Sequence, residues 1–305
     1  MSKVYDILII GGGPAGYTAA LYGARSGFAT AVLETLSPGG KMATTSDVEN
    51  YPGFPGVVDG FELGERMQEG AEKAGAETFF AEVSKVDLLA DPKVVETSEG
   101  TFLGRTVILA TGAHPRKLGI PQEEALVNRG VAYCATCDGN FYKDKVVVVN
   151  GGGNTAVGDA LYLAKLASKV YLVHRRDTLR ATPIYLQRLK DAGVEIIWNS
   201  VVSGLQADKK LTGVELTDVK TGEKRVLPAD GLFVAIGQLP ESSLAAGQVA
   251  TDKAGYILAG EDTKTSVPGV FAVGDVRTKA VRQIITAAAD GAVAIHYAEE
   301  YLNEK

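Results

Sequence analysis

The chain opens on an almost unbroken apolar run, Val4 to Ile10, interrupted only by Tyr5 and Asp6 and stopped by glycine. A run of this kind, without alternation, is the pattern of a strand buried on both faces, as in a parallel sheet. An alanine-rich segment, Tyr17 to Ser26, predicts a helix, and Phe28 to Leu33 predicts a second strand ending at Glu34. Thr35 to Pro55 is rich in Gly, Pro, Ser and Thr and has no regular period, which predicts a long functional loop. Gly60 to Ala74 returns to helical spacing through Phe61, Leu63, Met67 and Ala71, and Gly75 ends it. Short strands alternating with turns are predicted from Glu77 to Phe102. Another buried strand follows from Thr106 to Leu109, closed by Ala110-Thr111-Gly112.

At Lys145 the opening pattern begins again. Val146 to Val149 is a strand, Gly151-Gly152-Gly153 a second glycine turn, Ala156 to Leu166 roughly a helix, and Lys169 to Val173 the next strand. The two turns begin 140 residues apart, so the chain contains two nucleotide-binding units rather than one. A strand-rich segment from Val194 to Leu227, with turns at Asp208-Lys209 and Thr221-Gly222, fits an antiparallel insertion, and Asp230 to Gly237 closes the unit. Val270 to Val273 is a further short strand before Gly274-Asp275, and a final helix is predicted over about Gln283 to Tyr301.

Composition narrows the function class. A chain of 305 residues predicts two domains. The 36 glycines cluster at turns instead of repeating, which removes collagen-like and low-complexity readings. With 31 basic and 37 acidic residues the net charge is −6, which argues against nucleic acid or an anionic membrane as the main partner. No apolar stretch approaches the roughly 20 residues that span a bilayer. Met1 to Asp6 lacks the charged, apolar and small-residue regions of a signal peptide, so the expected location is the cytoplasm.

The first glycine turn, Gly11-Gly12-Gly13-Pro14-Ala15-Gly16, sits between strand and helix. A pyrophosphate needs backbone amides and a helix N-terminus aimed at it. Gly11 permits the tight turn, Gly13 lets the backbone approach closely, and Gly16 lets the helix lie on the sheet. Glu34 follows 21 residues after Gly13, where a ribose-binding carboxylate belongs, and its charge repels a 2′-phosphate. This unit is expected to hold FAD or NAD rather than NADP.

In the second turn Gly151 and Gly153 match, and Ala156 takes the third place, small enough for close packing. Where an acid would follow there is His174-Arg175-Arg176, with Arg180 beyond. Arginines there suit a 2′-phosphate, so NADPH is the expected occupant. Three scattered histidines do not suggest a metal site, and none is expected.

The chain has two cysteines, Cys134 and Cys137, three positions apart and beside Asp138. Taken alone, such a pair fits two buried apolar thiols, half a metal site, or an intrachain redox disulfide. The metal reading lacks its other ligands. In the company of two dinucleotide units the redox reading stands out. NADPH gives two electrons as a hydride, a dithiol–disulfide couple exchanges two, and a flavin is the expected intermediary. Asp138 is placed to shuttle a proton.

Together these motifs closely resemble the bacterial low-molecular-weight thioredoxin reductases along essentially the whole chain. The likeness rests on Gly11 to Gly16; Gly39-Gly40; Glu49-Asn50-Tyr51-Pro52-Gly53-Phe54; Ala110-Thr111-Gly112; Cys134-Ala135-Thr136-Cys137-Asp138-Gly139; Gly151 to Ala156, with Asn154-Thr155; His174 to Asp177 with Arg180; and Val273-Gly274-Asp275 with Arg282-Gln283. The resemblance implies an α/β chain of two Rossmann-like, three-layer dinucleotide-binding domains, the second inserted in the first. The FAD domain would be 1–115 with 244–305 and the NADPH domain 116–243, with Gly112 and Gly237 bracketing a hinge. It implies that Cys137 faces the flavin, that Cys134 attacks thioredoxin disulfide, and that Asp138 gives and takes the proton. It also implies that Asp275 bonds the FAD ribitol, that Gln283 sits at the flavin-facing helix start, and that the protein is a homodimer. Gly40, Lys41, Asn50 and Arg282 complete the flavin-side set.

The chain departs from the family pattern in two places. Lys41 stands where the family usually has Gln, in the loop that approaches the flavin. Gly158-Asp159 replaces two consecutive glutamates, and Gly158 inside a helix costs about 1 kcal/mol relative to Ala. Other expectations compatible with the fold are a reductase of another small redox protein, a ferredoxin- or flavodoxin-fed relative, and an oxidase that runs the cysteine pair in reverse. The basic cluster disfavours the last two. Met1 stands almost at the first strand, without the extra redox region of the peroxiredoxin reductases, which disfavours that relative.

Overall fold

The computed structural model describes residues 3–45, 47–179 and 184–304. In chain order, the first stretch runs β1 (Val4–Ile10), α1 (Pro14–Arg25), β2 (Thr30–Glu34), α2 (Gly60–Lys73), β3 (Glu77–Phe80), β4 (Val83–Asp87), β5 (Lys93–Thr97), β6 (Gly100–Leu109) and β7 (Ala113–Pro115). Next come β8 (Val131–Ala132), α3 (Ala135–Asp138), β9 (Val146–Gly151), α4 (Asn154–Leu163), β10 (Lys169–Val173), α5 (Ile184–Asp191) and β11 (Glu195–Ile197). The chain continues through β12 (Ser200–Ala207), β13 (Leu211–Asp218), β14 (Lys224–Pro228), β15 (Gly231–Ala235) and β16 (Gln238–Pro240), and ends on β17 (Val270–Ala272) and α6 (Ile284–Asn303). It divides into two compact units, Met1–His114 with Leu239–Lys305, and Pro115–Gln238. The divisions fall one and five residues before the expected 115/116 and 243/244.

The first unit is built on a sheet of order β3-β2-β1-β6-β5-β4, with β17 also on β6. β1 lies in the middle, parallel to β2 and β6, which explains its uninterrupted apolar run. Ile7, Leu8 and Ile9 are fully buried, and burial of each side chain contributes roughly 1.5–3 kcal/mol. β6 is one long strand where the sequence suggests two pieces. Its first half pairs antiparallel with β5 and its second half pairs parallel with β17, so a change of partner midway blurs its pattern. α1 and α6 lie against each other so closely that a Cβ on Gly291 would meet the Ala15 carbonyl. The loop expected from Thr35 to Pro55 contains a 3-10 turn at Gly40–Thr44, and its Val48 bridges to Val58 just beyond it.

The second unit holds an all-parallel sheet, β11-β10-β9-β15-β8, and a three-stranded antiparallel sheet, β12-β13-β14. The antiparallel sheet is the insertion expected from Val194, except that it begins only at Ser200: β11, inside the expected span, pairs parallel with β10 at the edge of the main sheet. Val147, Val148 and Val149 on the central strand β9 are fully buried. Helix α5 has no counterpart among the expected elements.

Candidate functional site

The first glycine turn is shaped by three distant segments. Gly11, at φ +106°, turns the chain against Ala110, where a Cβ would press on the carbonyl. Gly16 has no room for a Cβ either, because the Gly11 carbonyl occupies that space. Gly13 faces open space, caps α1 without any side-chain hydrogen bond, and is followed by Pro14 in the first helical turn. The backbone amides at the start of α1, beginning at Ala15, therefore remain available to an anion, with the helix dipole behind them. The Gly12 amide donates to Glu34 Oε2 at 2.7 Å, while Oε1 accepts from Thr35 and Leu36 at 2.9 and 3.1 Å. Gly39 donates to the Gly12 carbonyl at 2.8 Å. A Cβ on Gly40 would lie 3.4 Å from the Gly13 Cα, so Lys41 follows directly from the wall of the turn.

The other residues expected at the flavin lie in this same unit. The Ala110 amide donates to Ile10, and the chain after Gly112 is tied to Glu241 by the Thr111 hydroxyl at 2.6 Å and by the Glu241 amide at 3.0 Å. Asn50 Nδ2 donates to Gln283 Oε1 at 3.1 Å, and Gln283 caps α6 reciprocally with Thr286. Gly274, at φ +72°, aims the short turn that carries Asp275. Burial pushes the Asp275 carboxyl above its ordinary value, against the opposing pull of Lys41, Arg282 and Lys279. Arg282 donates to the carbonyls of Asp275 and Arg277 and lies 4.1 Å over the Tyr256 ring.

The second turn is built on the same backbone plan with different walls. A Cβ on Gly151 would press on Ala235 and Ala156, and Ala156 is fully buried. Gly153 is open and caps α4 without a side-chain bond. Asn154 and Thr155 are exposed at the helix start, and Arg175 and Arg176 are exposed after β10. His174 is different: it is 4% exposed, and its ring fills the space where a Gly152 Cβ would stand. Its Nε2 lies 3.0 Å from the Thr178 carbonyl, and the ring meets Trp198 edge-on. His174 thus joins the turn to the basic segment from beneath. Arg180 lies outside the described residues.

The cysteine pair also belongs to the second unit. β8 brings the chain up beside β15, Cys134 caps the one-turn helix α3, and Cys134 and Cys137 form a disulfide with Cα atoms 5.3 Å apart. Both cysteines and Asp138 are half-buried. The Asp138 amide donates to the Cys134 carbonyl at 3.0 Å, and the Thr136 hydroxyl lies 3.5 Å from Cys134 Sγ. Tyr142, stacked edge-on to Phe233, anchors the following turn, and Gly139 fits against Tyr162 of α4.

Two features here escaped the sequence reading. Phe141, four residues after Cys137, stands 45% exposed, an apolar side chain open to solvent. Glu123, 2% exposed, accepts from the Leu118 and Gly119 amides and from the Tyr133 hydroxyl at 2.9 Å, fixing the residue before Cys134. No local pattern marks either. Among the described residues no cluster of three or more His, Cys, Asp or Glu side chains is suited to a metal, and no helix is long and apolar enough to cross a membrane.

Known proteins resemble the chain along its whole length. The pattern of the pyridine nucleotide-disulphide oxidoreductase family matches residues 5–291. A thioredoxin reductase of Streptomyces clavuligerus is 47% identical over 306 residues, covering 99% of this chain and 95% of its own. One from Listeria monocytogenes is 44% identical over 304 residues, with the same coverage. The crystal structure of thioredoxin reductase from Streptococcus pyogenes matches with a TM-score of 0.91 and 43% identity, covering both chains completely. Two glycine cradles and one disulfide, in a chain alike from end to end at this identity, place it in the thioredoxin reductases of the pyridine nucleotide-disulphide oxidoreductase family.

Proposed function

We propose that the chain catalyses reduction of a thioredoxin disulfide by NADPH through FAD and the Cys134–Cys137 pair. The observation that carries this reading is the disulfide itself, held in the unit whose glycine turn is followed by exposed Arg175 and Arg176. The residues present fit both cofactors: each turn has an open glycine, Gly13 or Gly153, an uncapped helix N-terminus after it, and no room for a Cβ at its first glycine. The first unit would hold FAD, with Glu34 toward a ribose, Asp275 toward the ribitol, and Lys41, Asn50, Arg282 and Gln283 on the flavin side. The second would hold NADPH, with Arg175, Arg176 and Arg180 at the 2′-phosphate. Bound there, the two cofactors supply the exchange of an electron pair.

The chain's own residues do the rest. Two electrons and a proton cleave the Cys134–Cys137 bond, leaving one thiolate and one thiol. The Cys134 thiolate attacks one sulfur of the thioredoxin disulfide and expels the other as a thiolate. Cys137 then attacks Cys134, reforming the intrachain disulfide and releasing thioredoxin with one thiol and one thiolate, the thiolate taking a second proton from solvent. Asp138 takes and returns the proton that this exchange requires. Phe141 offers an apolar contact at the rim.

We also assign a homodimer and a cytoplasmic location. What supports the dimer is an apolar groove of about 340 Å³ in the first unit, lined by Tyr22, Leu21, Met67, Ile285, Ala288 and Ala292, which a second copy would cover. Tyr22 and Ile285 are 49% and 44% exposed there, and Tyr22→Glu should shift the sedimenting species to monomer.

Anaerobic titration of the purified protein tests the main reading. NADPH should bleach one flavin per chain, NADH should do so poorly, and added thioredoxin should restore the colour. A flavin reoxidised equally well without a disulfide acceptor would refute it.

A further inference from the structure

Beneath the first unit's cradle lies a buried ionic cluster that neither the sequence motifs nor the proposed chemistry uses. The Asp290 carboxylate, on α6, is 7% exposed and receives four charge-assisted or backbone hydrogen bonds. Arg277 binds it through Nε at 2.8 Å and Nη2 at 2.7 Å, Lys279 Nζ at 2.8 Å, and the Gly274 amide at 2.8 Å. Arg277 spends its third nitrogen on the carbonyls of Ala259 and Thr278, and Lys279 reaches the Thr286 carbonyl. All three charged side chains are less than a tenth exposed. The next residue, Gly291, is where α6 presses on Ala15 at the start of α1, and Gly274 lies against Ala15 as well. One carboxylate therefore grips the Gly274–Asp275 turn at the point where it meets the first glycine turn.

We propose that Asp290 is a positioning residue for the flavin site, fixing the Gly274–Asp275 turn through the Gly274 amide, while Arg277 and Lys279 hold the carboxylate in place. The inference rests on the reading that FAD occupies the first cradle. The physical reason lies in the backbone. Gly274 stands in the left-handed region, where glycine is free to take several conformations, so an acceptor that fixes its amide fixes the direction of Asp275. Burial alone would raise the Asp290 carboxyl, but the hydrogen bonds from Arg277 and Lys279 more than offset it and hold it below its ordinary value. It therefore remains an ionised acceptor at neutral pH.

Separating position from stability requires removing the charges without leaving one unpaired, since a lone buried charge destabilises whatever its role. Two triple variants do this. Both carry Arg277→Met and Lys279→Met; one has Asp290→Asn, which keeps a neutral acceptor for Gly274, and the other has Asp290→Leu, which keeps none. Flavin is stripped from each holoprotein, and FAD rebinding is followed by fluorescence quenching beside the melting of the apoprotein. The expected result is apoproteins that both fold, the Leu variant melting only a few degrees below the Asn variant, with the Asn variant binding FAD about as wild type does and the Leu variant at least about tenfold more weakly, the scale of one lost buried hydrogen bond. Amide exchange of residues 272–278, read by mass spectrometry, should quicken in the Leu apoprotein alone. If Leu does not fit the site, Asp290→Ala in the same background serves as the acceptor-free variant.

Equal FAD affinity and equal exchange in the two triples would overturn the proposal and leave the cluster a structural device. Failure of wild-type apoprotein to rebind FAD would instead refute the reading of the cradle, an outcome distinct from any difference between variants.

Discussion

A constant offset of 140 residues lays the second glycine turn on the first: Gly11 falls on Gly151, Gly12 on Gly152, Gly16 on Ala156 and Glu34 on His174. The backbone solution is shared and the side chains at the end of the second strand differ. In the first unit the carboxylate at that place reaches back to the amide of the middle glycine at 2.7 Å. In the second, an imidazole at the same place covers the middle glycine with its ring and bonds the Thr178 carbonyl instead. On the reading proposed above, the first turn offers Glu34 to ribose hydroxyls, whereas the second leaves recognition to the exposed Arg175 and Arg176 further out. One fold reads two dinucleotides because the phosphate is met by backbone and the ribose by side chains.

The comparison breaks most completely at the cysteines, for which the first unit has no counterpart. Cys134→Ser and Cys137→Ser should each lower thioredoxin turnover by at least about a thousandfold, because one thiol can neither release nor resolve a mixed disulfide. NADPH should still bleach the flavin in both. Steady-state assays run beside anaerobic spectra give the answer, and near wild-type turnover in either variant would refute the relay.

Next in size is the recognition difference. Arg175→Ala with Arg176→Ala should raise the KM for NADPH by about 10–100-fold, the range for losing charge-assisted bonds to a phosphate, and the KM for NADH by much less. Glu34→Gln should leave both values in place and lower the flavin content of the purified protein. Parallel changes in the two KM values would mean that the arginines do not read the 2′-phosphate.

The third position of each turn sharpens the contrast further. Gly16→Ala forces a methyl group onto the Gly11 carbonyl and should cost about 1–3 kcal/mol together with part of the bound flavin. Ala156→Gly leaves a small gap and should cost about 1 kcal/mol. Thermal melts with flavin counts test both, and a Gly16→Ala protein with full flavin and unchanged Tm would show that the first turn has slack.

These contrasts also explain what was legible in the sequence. The turns, their flanking strands and the cysteine pair depend on residues near one another in the chain, so spacing revealed them. β6 was read as two pieces because its halves face different neighbours. Asp290, Arg277 and Lys279 were missed because neither the apolar period of α6 nor any spacing rule marks a buried carboxylate. Its partners come from the loop before the helix, and only packing brings them together. Glu123 was missed for the same reason. His174 shows the converse limit: its place in the pattern was plain, but its burial under the turn depends on Gly152 having no side chain.

The smallest expected effect comes from another paired position. The offset that relates the turns also puts Asp159 of α4 where α1 has the fully buried Ala19. Burial pushes the Asp159 carboxyl up from 3.8 to about 6. The native state therefore binds this proton more tightly than the unfolded chain does, and stability falls as pH rises through the window between those values. At pH 7 the carboxylate is ionised and its full desolvation cost is present. Asp159→Asn removes that cost at nearly constant volume, and because the side chain is partly exposed, solvent screening limits the gain to about 1 kcal/mol at pH 7–8. The advantage should shrink as pH falls through 6 and vanish below about 4, where wild type is also neutral. Denaturant unfolding of both proteins across pH 4–8 measures this directly. A difference that does not change with pH would mean that Asp159 ionises as an ordinary surface carboxylate, and that the second helix tolerates the charge as easily as the first tolerates alanine.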